Sequence, residues 1–216
     1  MTCARLSSPR ALDLFCGAGG ASMGLHRAGF DVTGIDHRPQ TRYPFRFIQA
    51  DALAPPVRLE DFDFIWASPP CQDASVGSRR WKAIGYEYPR LIEPTRAMLA
   101  GMPYVIENVP GAAIRADLIL TGPMFGLKTQ RRRHFEFSTF WALQIALPAR
   151  AGPKTTAGFC TVAGHGGDGP NRLDVWSEAM GIDWMNKEEL TEAIPPAYSH
   201  FIATEWLRQQ GWNPPR

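Results

Sequence analysis

The 216 residues suffice for one good hydrophobic core with a small appendage, and 44% apolar with 20% charged content excludes the disordered and membrane-spanning classes. A formal net charge of +2 is too small to announce nucleic acid. Four cysteines at 3, 16, 71 and 160 form no CxxC pair and no apolar leader precedes Arg10, so neither a disulfide framework nor a zinc site is expected, but a cytoplasmic protein with reduced thiols.

Ala11-Leu12-Asp13-Leu14-Phe15 reads as a buried strand that runs into the glycine turn Cys16-Gly17-Ala18-Gly19-Gly20 and then a helix over 21–28. Glycines there let a ligand approach the backbone, and the free N–H groups at the helix start suit a polar or anionic group; a plain structural turn has the same pattern. Phe30 to Ile35 is a second strand ending in Asp36, and Phe45 to Gln49 a third ending in Asp51. Acids at these two ends suit the ribose hydroxyls and adenine amino group of an adenosine-containing cofactor, or are ordinary turn residues.

Asp63 to Ala67 is a fourth strand, stopped by Ser68-Pro69-Pro70 so that Cys71 and Gln72 stand just beyond its carboxyl end. Open α/β sheets place their chemistry there, so Cys71 reads as a nucleophile more readily than as a packing residue. The polar segment from Asp73 to Tyr88 contains the basic cluster Arg79-Arg80-Trp81-Lys82, either a phosphate contact or a solvated face. A helix over 89–100 leads to a fifth strand, Met102 to Ile106, which ends in Glu107-Asn108-Val109-Pro110.

Gln130-Arg131-Arg132-Arg133-His134-Phe135-Glu136-Phe137 alternates like a strand, which would put Arg131 and Arg133 on one face. Residues 139 to 160 read as an irregular connector. In the second glycine-rich loop, Thr161 to Gly167, His165 either meets a phosphate or fills a turn. Helices are expected over 173–180 and 196–210, the second with an apolar stripe at Tyr198, Phe201, Ile202 and Trp206 that reads as core. A thiol, a carboxyl and paired guanidinium groups thus fall on the carboxyl side of one sheet.

In this order the motifs resemble the DNA cytosine-5 methyltransferases over most of the chain. Asp13 to Gly20 looks like that family's S-adenosylmethionine loop, Pro69-Pro70-Cys71-Gln72 like its catalytic loop, and Glu107-Asn108-Val109 like the strand that holds the target base. Arg131-Arg132-Arg133 fits its Arg-x-Arg element, and Ala193-Ile194-Pro195-Pro196-Ala197-Tyr198 its closing motif. The resemblance implies a Rossmann-like S-adenosylmethionine-dependent methyltransferase fold, α/β with a mainly parallel sheet. It also implies a core over 1–138, a minimal recognition region over 139–170 and closing helices over 171–216. It implies catalytic roles for Cys71, Glu107, Arg131 and Arg133. Cofactor contacts would come from Asp13, Phe15, Gly17, Ala18, Gly19, Gly20, Asp36, His37, Asp51, Ala52, Pro69, Ala193 and Ile194. Substrate contacts would come from Ser68, Pro70, Gln72, Asn108, Arg79, Arg80 and Gly166.

The implied partner is DNA with a flipped cytosine, acted on by a monomer without metal or membrane. The chain departs from the family where a recognition domain normally stands, since only about twenty-five residues remain between the Arg-x-Arg segment and the Gly164-to-Gly167 loop. A short or relaxed target site, or help from a partner, is therefore expected, as in small phage members and restriction-modification enzymes. Asp36 stands where the family usually has Glu. Anchoring the Arg-x-Arg element on Gln130 would select Arg132 and His134 instead of Arg131 and Arg133. A methyltransferase of free nucleotides or RNA, or a decoy without turnover, are the competing readings.

Overall fold

The protein's structure, a computed structural model, describes residues 8–70, 90–138, 159–162 and 172–212. Short apolar runs flanked by Gly and Pro become strands β1 (Arg10–Leu14), β2 (Asp31–Asp36), β3 (Arg46–Gln49), β4 (Phe64–Ala67), β5 (Tyr104–Asn108), β6 (Leu118–Leu120) and β7 (Arg133–Phe137). They form one sheet in the order β3-β2-β1-β4-β5-β7-β6. The first five strands in that order are mutually parallel, and β7 runs antiparallel to β5 and β6.

Strands β1 and β4 read as nearly unbroken apolar runs because both faces of the sheet are covered. On one face Ala11, Val32, Phe64, Trp66, Val105 and Phe135 pack with Leu25 of helix α1 (Gly20–Ala28) and with Tyr198, Ile202 and Trp206 of the closing helix (Pro196–Gln209). On the other, Leu12, Leu14, Ile35, Ile65 and Ile106 pack with Phe62 and with Leu99, which follows helix α2 (Ile92–Met98). The apolar stripe of the closing helix is therefore core, as its spacing suggests. A third cluster joins Cys160 and Val162 to helix α3 (Leu173–Met180), helix α4 (Lys187–Glu192) and Ala18 of the glycine turn. The closing helix is α5 in this order.

The strand order reverses between β2 and β4, on either side of β1. In an open parallel sheet this opens a crevice at the carboxyl ends of those strands. The glycine turn leaves β1 there and Ser68-Pro69-Pro70 leaves β4 there.

Four elements differ from the sequence reading. The fifth strand begins at Tyr104 and carries Glu107 and Asn108 within it rather than beyond it. Strand β7 begins at Arg133, and Arg131 has φ of 32°, so the alternation does not extend back to Arg131. Strand β6, of three residues, is too short for a periodic signal. Helix α4 has few apolar residues, but its start is marked by a capping box in which Asn186 accepts from the Glu189 N–H and Glu189 from the Asn186 N–H. No helix among the described residues is long and apolar enough to cross a membrane.

Candidate active site

Strand β1 enters the glycine turn through Phe15 at φ 59°, followed by Gly17 at φ 50° and Gly19 at φ 87°. A Cβ at Gly17 would meet nothing within 4 Å, so the backbone borders open space there. A Cβ at Gly20 would instead overlap the carbonyl of Ile194, so only glycine lets the closing motif lie against the turn. Trp184 Nε1 fixes the turn from the same side by donating to the Ala18 carbonyl at 2.9 Å.

Asp36 ends β2 beside this turn. Its Oδ2 accepts the Gly17 N–H at 3.0 Å, its Oδ1 accepts the Arg38 N–H at 2.9 Å, and His37 Nδ1 stands 3.3 Å from Oδ1. Each carboxylate oxygen keeps capacity for a further donor. Asp51 is exposed, accepts the Leu53 N–H at 2.9 Å and is followed by buried Ala52. Pairing of β2 with β3 sets Asp36 opposite Gln49, which brings both acids to one end of the sheet.

Asp13 lies deeper, on β1 beneath the turn, fully buried. It accepts a short hydrogen bond from Ser22 Oγ, which is 2.7 Å from Tyr43 Oη, while its Oδ1 has no hydrogen-bond partner among the described residues. Burial is the main cause that pushes its carboxyl up to about 7, against the lowering effect of Ser22. A carboxyl whose folded pKa exceeds its unfolded value of 3.8 holds its proton more tightly when folded. Its contribution is therefore full below that value and lost as pH rises to about 7. Asp13→Asn, which does not titrate, is expected to gain about 4 kcal/mol on the native chain between about pH 4 and pH 8. Denaturant unfolding of both proteins across that range checks this; parallel stability curves would refute it.

Glu107 stands on β5 with its side chain 7% exposed, and Arg133 Nε on β7 is 2.8 Å from its Oε1. The approach is an ion pair, and Oε1 accepts no further hydrogen bond among the described residues. Burial pushes the Glu107 carboxyl up, while Arg133, Arg131 and a hydrogen bond from Ser68 act against it. Asn108 reaches back across the sheet, its Nδ2 donating to the Pro69 carbonyl at 3.0 Å. Pro70 thus starts the Cys71 loop from a fixed point. Cys71, Gln72, Arg79, Arg80, His165 and Gly166 lie outside the described residues.

Arg131 stands two residues before the start of β7, at φ 32°. Its guanidinium donates to three backbone carbonyls: Val162 at 2.9 Å, Thr191 at 2.6 Å, and Ala193 at 2.7 and 3.1 Å. Tyr198 Oη donates to the Arg131 carbonyl at 3.0 Å. Arg131 therefore ties the closing motif to the start of β7. Sequence reasoning also passed over Glu136, which is buried and receives Arg96 Nε at 2.7 Å, Arg96 Nη2 at 2.8 Å and the Arg115 N–H at 2.8 Å. Its alternation with Phe135 marks the opposite face, where it anchors α2 to the sheet.

A mainly parallel seven-stranded sheet of this order, with a glycine turn after β1 and acids ending the next two strand units, is the Rossmann-like fold of S-adenosylmethionine-dependent methyltransferases. The family model for C-5 cytosine-specific DNA methylases matches residues 10–112. Type II methyltransferase M.HgiGI of Herpetosiphon aurantiacus is 33% identical over 88 residues, covering 35% of this chain and 70% of that protein. M.HgiDI, from the same organism, is 29% identical over 157 residues; the match covers 58% of this chain and spans half the length of M.HgiDI. Among solved structures, the S. pombe Dnmt2 methyltransferase superposes with a TM-score of 0.59 at 13% identity, covering 94% of this chain and 99% of that one, a likeness of fold. The chain belongs to the C-5 cytosine-specific DNA methylase family.

Proposed function

We propose that this protein transfers a methyl group from S-adenosylmethionine to carbon 5 of cytosine in DNA. The observation that carries the reading is the convergence of three strand ends. The glycine turn after β1, the Ser68-Pro69-Pro70 lead-in to Cys71 after β4, and buried Glu107 beside Arg133 on β5 and β7 all face the switch-point crevice.

The residues fit the cofactor. Open space borders Gly17, and the Asp36 carboxylate at the end of β2 has acceptor capacity left for ribose hydroxyls. Asp51 stands at the same sheet end for the adenine amino group, and Ile194 closes the turn from the far side. S-adenosylmethionine supplies an electrophilic methyl group on a sulfonium sulfur. Asp13 and Arg131 serve this site as positioning residues, the first beneath the turn and the second behind the closing motif.

The Cys71 thiolate adds to carbon 6 of the base, and the Glu107 carboxyl gives its proton to ring nitrogen 3, which leaves carbon 5 electron-rich. The burial that raises the Glu107 carboxyl favours the proton-bearing form this step needs. Arg133 holds Glu107, and its guanidinium has N–H groups beyond Nε to offer the base carbonyl oxygen. After methyl transfer a base removes the proton at carbon 5, the electrons of that carbon–hydrogen bond restore the 5,6 double bond, the bond from carbon 6 to sulfur breaks with its electrons leaving on the Cys71 thiolate, and nitrogen 3 returns its proton to Glu107. The target must leave the duplex stack to reach such a site.

The recognition element is short, which supports a relaxed or brief target sequence of the kind carried by a small phage or restriction-modification enzyme. The enzyme acts as a monomer in the cytoplasm, where DNA and reduced thiols coexist. Bisulfite sequencing of plasmid from a methylation-free bacterial host expressing the chain is expected to show protected cytosines in a common sequence context. Unprotected plasmid from a host with soluble protein would overturn the DNA reading in favour of RNA or free nucleotides.

A further inference from the structure

Strands β4 and β5 pair in parallel with Trp66 opposite Val105 and Ala67 opposite Ile106. The Ser68 N–H still donates to the Leu14 carbonyl of β1 at 3.1 Å, so the chain stays extended one residue past β4, and the same register carried one residue further pairs Ser68 with Glu107. Ser68 therefore falls opposite Glu107, and with side chains alternating along each strand, Trp66 and Ser68 share the face that carries Val105 and Glu107. Trp66 is fully buried against Phe135, its ring centroid 5.8 Å away, and its indole Nε1 donates to Ser68 Oγ at 2.9 Å.

An indole N–H can only donate, so at this contact the Ser68 hydroxyl must act as acceptor. Its single hydrogen is thereby directed away from Trp66, on the face where Glu107 keeps a buried carboxyl oxygen, Oε1, with no hydrogen-bond partner among the described residues. We propose that Ser68 is a positioning residue rather than a substrate contact: polarised by the Trp66 indole, it donates to Glu107 and sets the orientation and proton affinity of that carboxyl. The proposal deepens the methyltransferase reading and rests on it for what the proton does, but not for the hydrogen-bonded chain itself.

Five neighbouring groups act on Glu107 from the elements around it. Arg133 and Arg131 lower its proton affinity from the β7 side, Ser68 lowers it from β4, Asp13 on β1 interacts with it as a like charge, and Tyr198 faces it from α5. Among these Ser68 is uncharged and small, so it can be altered without adding or removing a formal charge. A hydroxyl that donates to a carboxylate favours the ionised form. Ser68→Ala is therefore expected to raise the pH at which Glu107 loses its proton by about one unit. Ser68→Thr, which keeps the hydroxyl, should leave it in place, and Trp66→Phe, which removes only the polarising N–H, should give a smaller shift in the same direction.

The measurement is a carboxyl-carbon NMR titration of 13C-glutamate-labelled protein, with Glu107→Gln to assign the signal, run beside the pH profile of kcat/KM for methyl transfer. The expected result is an upward move of the Glu107 titration, matched by the descending limb of the profile, in Ser68→Ala but not in Ser68→Thr. A Glu107 titration that stays put in a folded Ser68→Ala protein overturns the proposal whatever happens to activity. A shift in the titration of a protein that methylates no DNA would uphold the chain from Trp66 to Glu107 and sink the methyltransferase reading instead.

Discussion

Cys71→Ala is expected to abolish methyl transfer, and Glu107→Gln to slow it by about 10²–10⁴-fold, the usual contribution of a positioned proton donor. The two losses differ because the two groups do different work. Carbon 5 of cytosine is a poor nucleophile, and it gains electron density only when a thiolate adds at carbon 6; with alanine there is no addition and no alternative route. Glutamine keeps the shape of Glu107 and can still donate a hydrogen bond to nitrogen 3, but it cannot hand over a proton. Charge then builds on the ring in a site where burial makes charge expensive. DNA containing 5-fluorocytosine separates the cases, since fluorine cannot be removed as a proton and the methylated adduct stays on the enzyme. The native protein should be trapped, Glu107→Gln trapped slowly, and Cys71→Ala not at all. Full-rate transfer by Glu107→Gln would show that the carboxyl is not the proton donor, and methylation by Cys71→Ala would rule out the covalent route.

Local signals carried much of this site. Glycine followed by a helix start, acids at strand ends and prolines that stop β4 are written in consecutive residues, so the glycine turn, Asp36, Asp51 and the Ser68-Pro69-Pro70 lead-in are found where the chain order suggests. What consecutive residues do not encode is which partner a side chain meets across the sheet. Arg131 and Arg133 look alike in sequence, yet one pairs with Glu107 at 2.8 Å while the other donates to the carbonyls of residues 162, 191 and 193. The difference arises from the positive φ of Arg131, which turns it out of the strand and toward a segment some sixty positions later. Ser68 likewise reads as a loop residue beside a nucleophile, although it directly follows Ala67, which the parallel register sets opposite Ile106, the neighbour of Glu107. Glu136 was passed over because a buried acid on an apolar strand has no local mark; its arginine partner lies forty positions away.

Gly24→Ala is expected to cost about 3 kcal/mol and lower Tm by about 6–12 °C, although the same exchange in an open helix would stabilise by about 1 kcal/mol. The sign turns on the crossing of α1 and α5. A Cβ at Gly24 would overlap Ser199 Oγ and the Pro196 carbonyl and come within 2.6 Å of the His200 backbone nitrogen. Most of that is main chain in the first turn of α5, and Ser199 is itself buried and tied to the Ala21 carbonyl at 2.7 Å. Neither helix can give way by a rotamer change, so they must separate. Separation loosens Tyr198, Ile202 and Trp206, which cover the sheet beside Phe64 and Phe135. It also withdraws Ile194, two residues before α5, from the glycine turn. The variant should therefore lose affinity for S-adenosylmethionine along with stability, even though residue 24 touches neither the turn nor Asp36. Arg27→Ala, on the exposed side of α1, serves as the control and should stay within about 0.5 kcal/mol of the native chain. Thermal unfolding with and without cofactor checks both effects; a Gly24→Ala protein as stable as the native one would mean that α1 and α5 do not cross this closely.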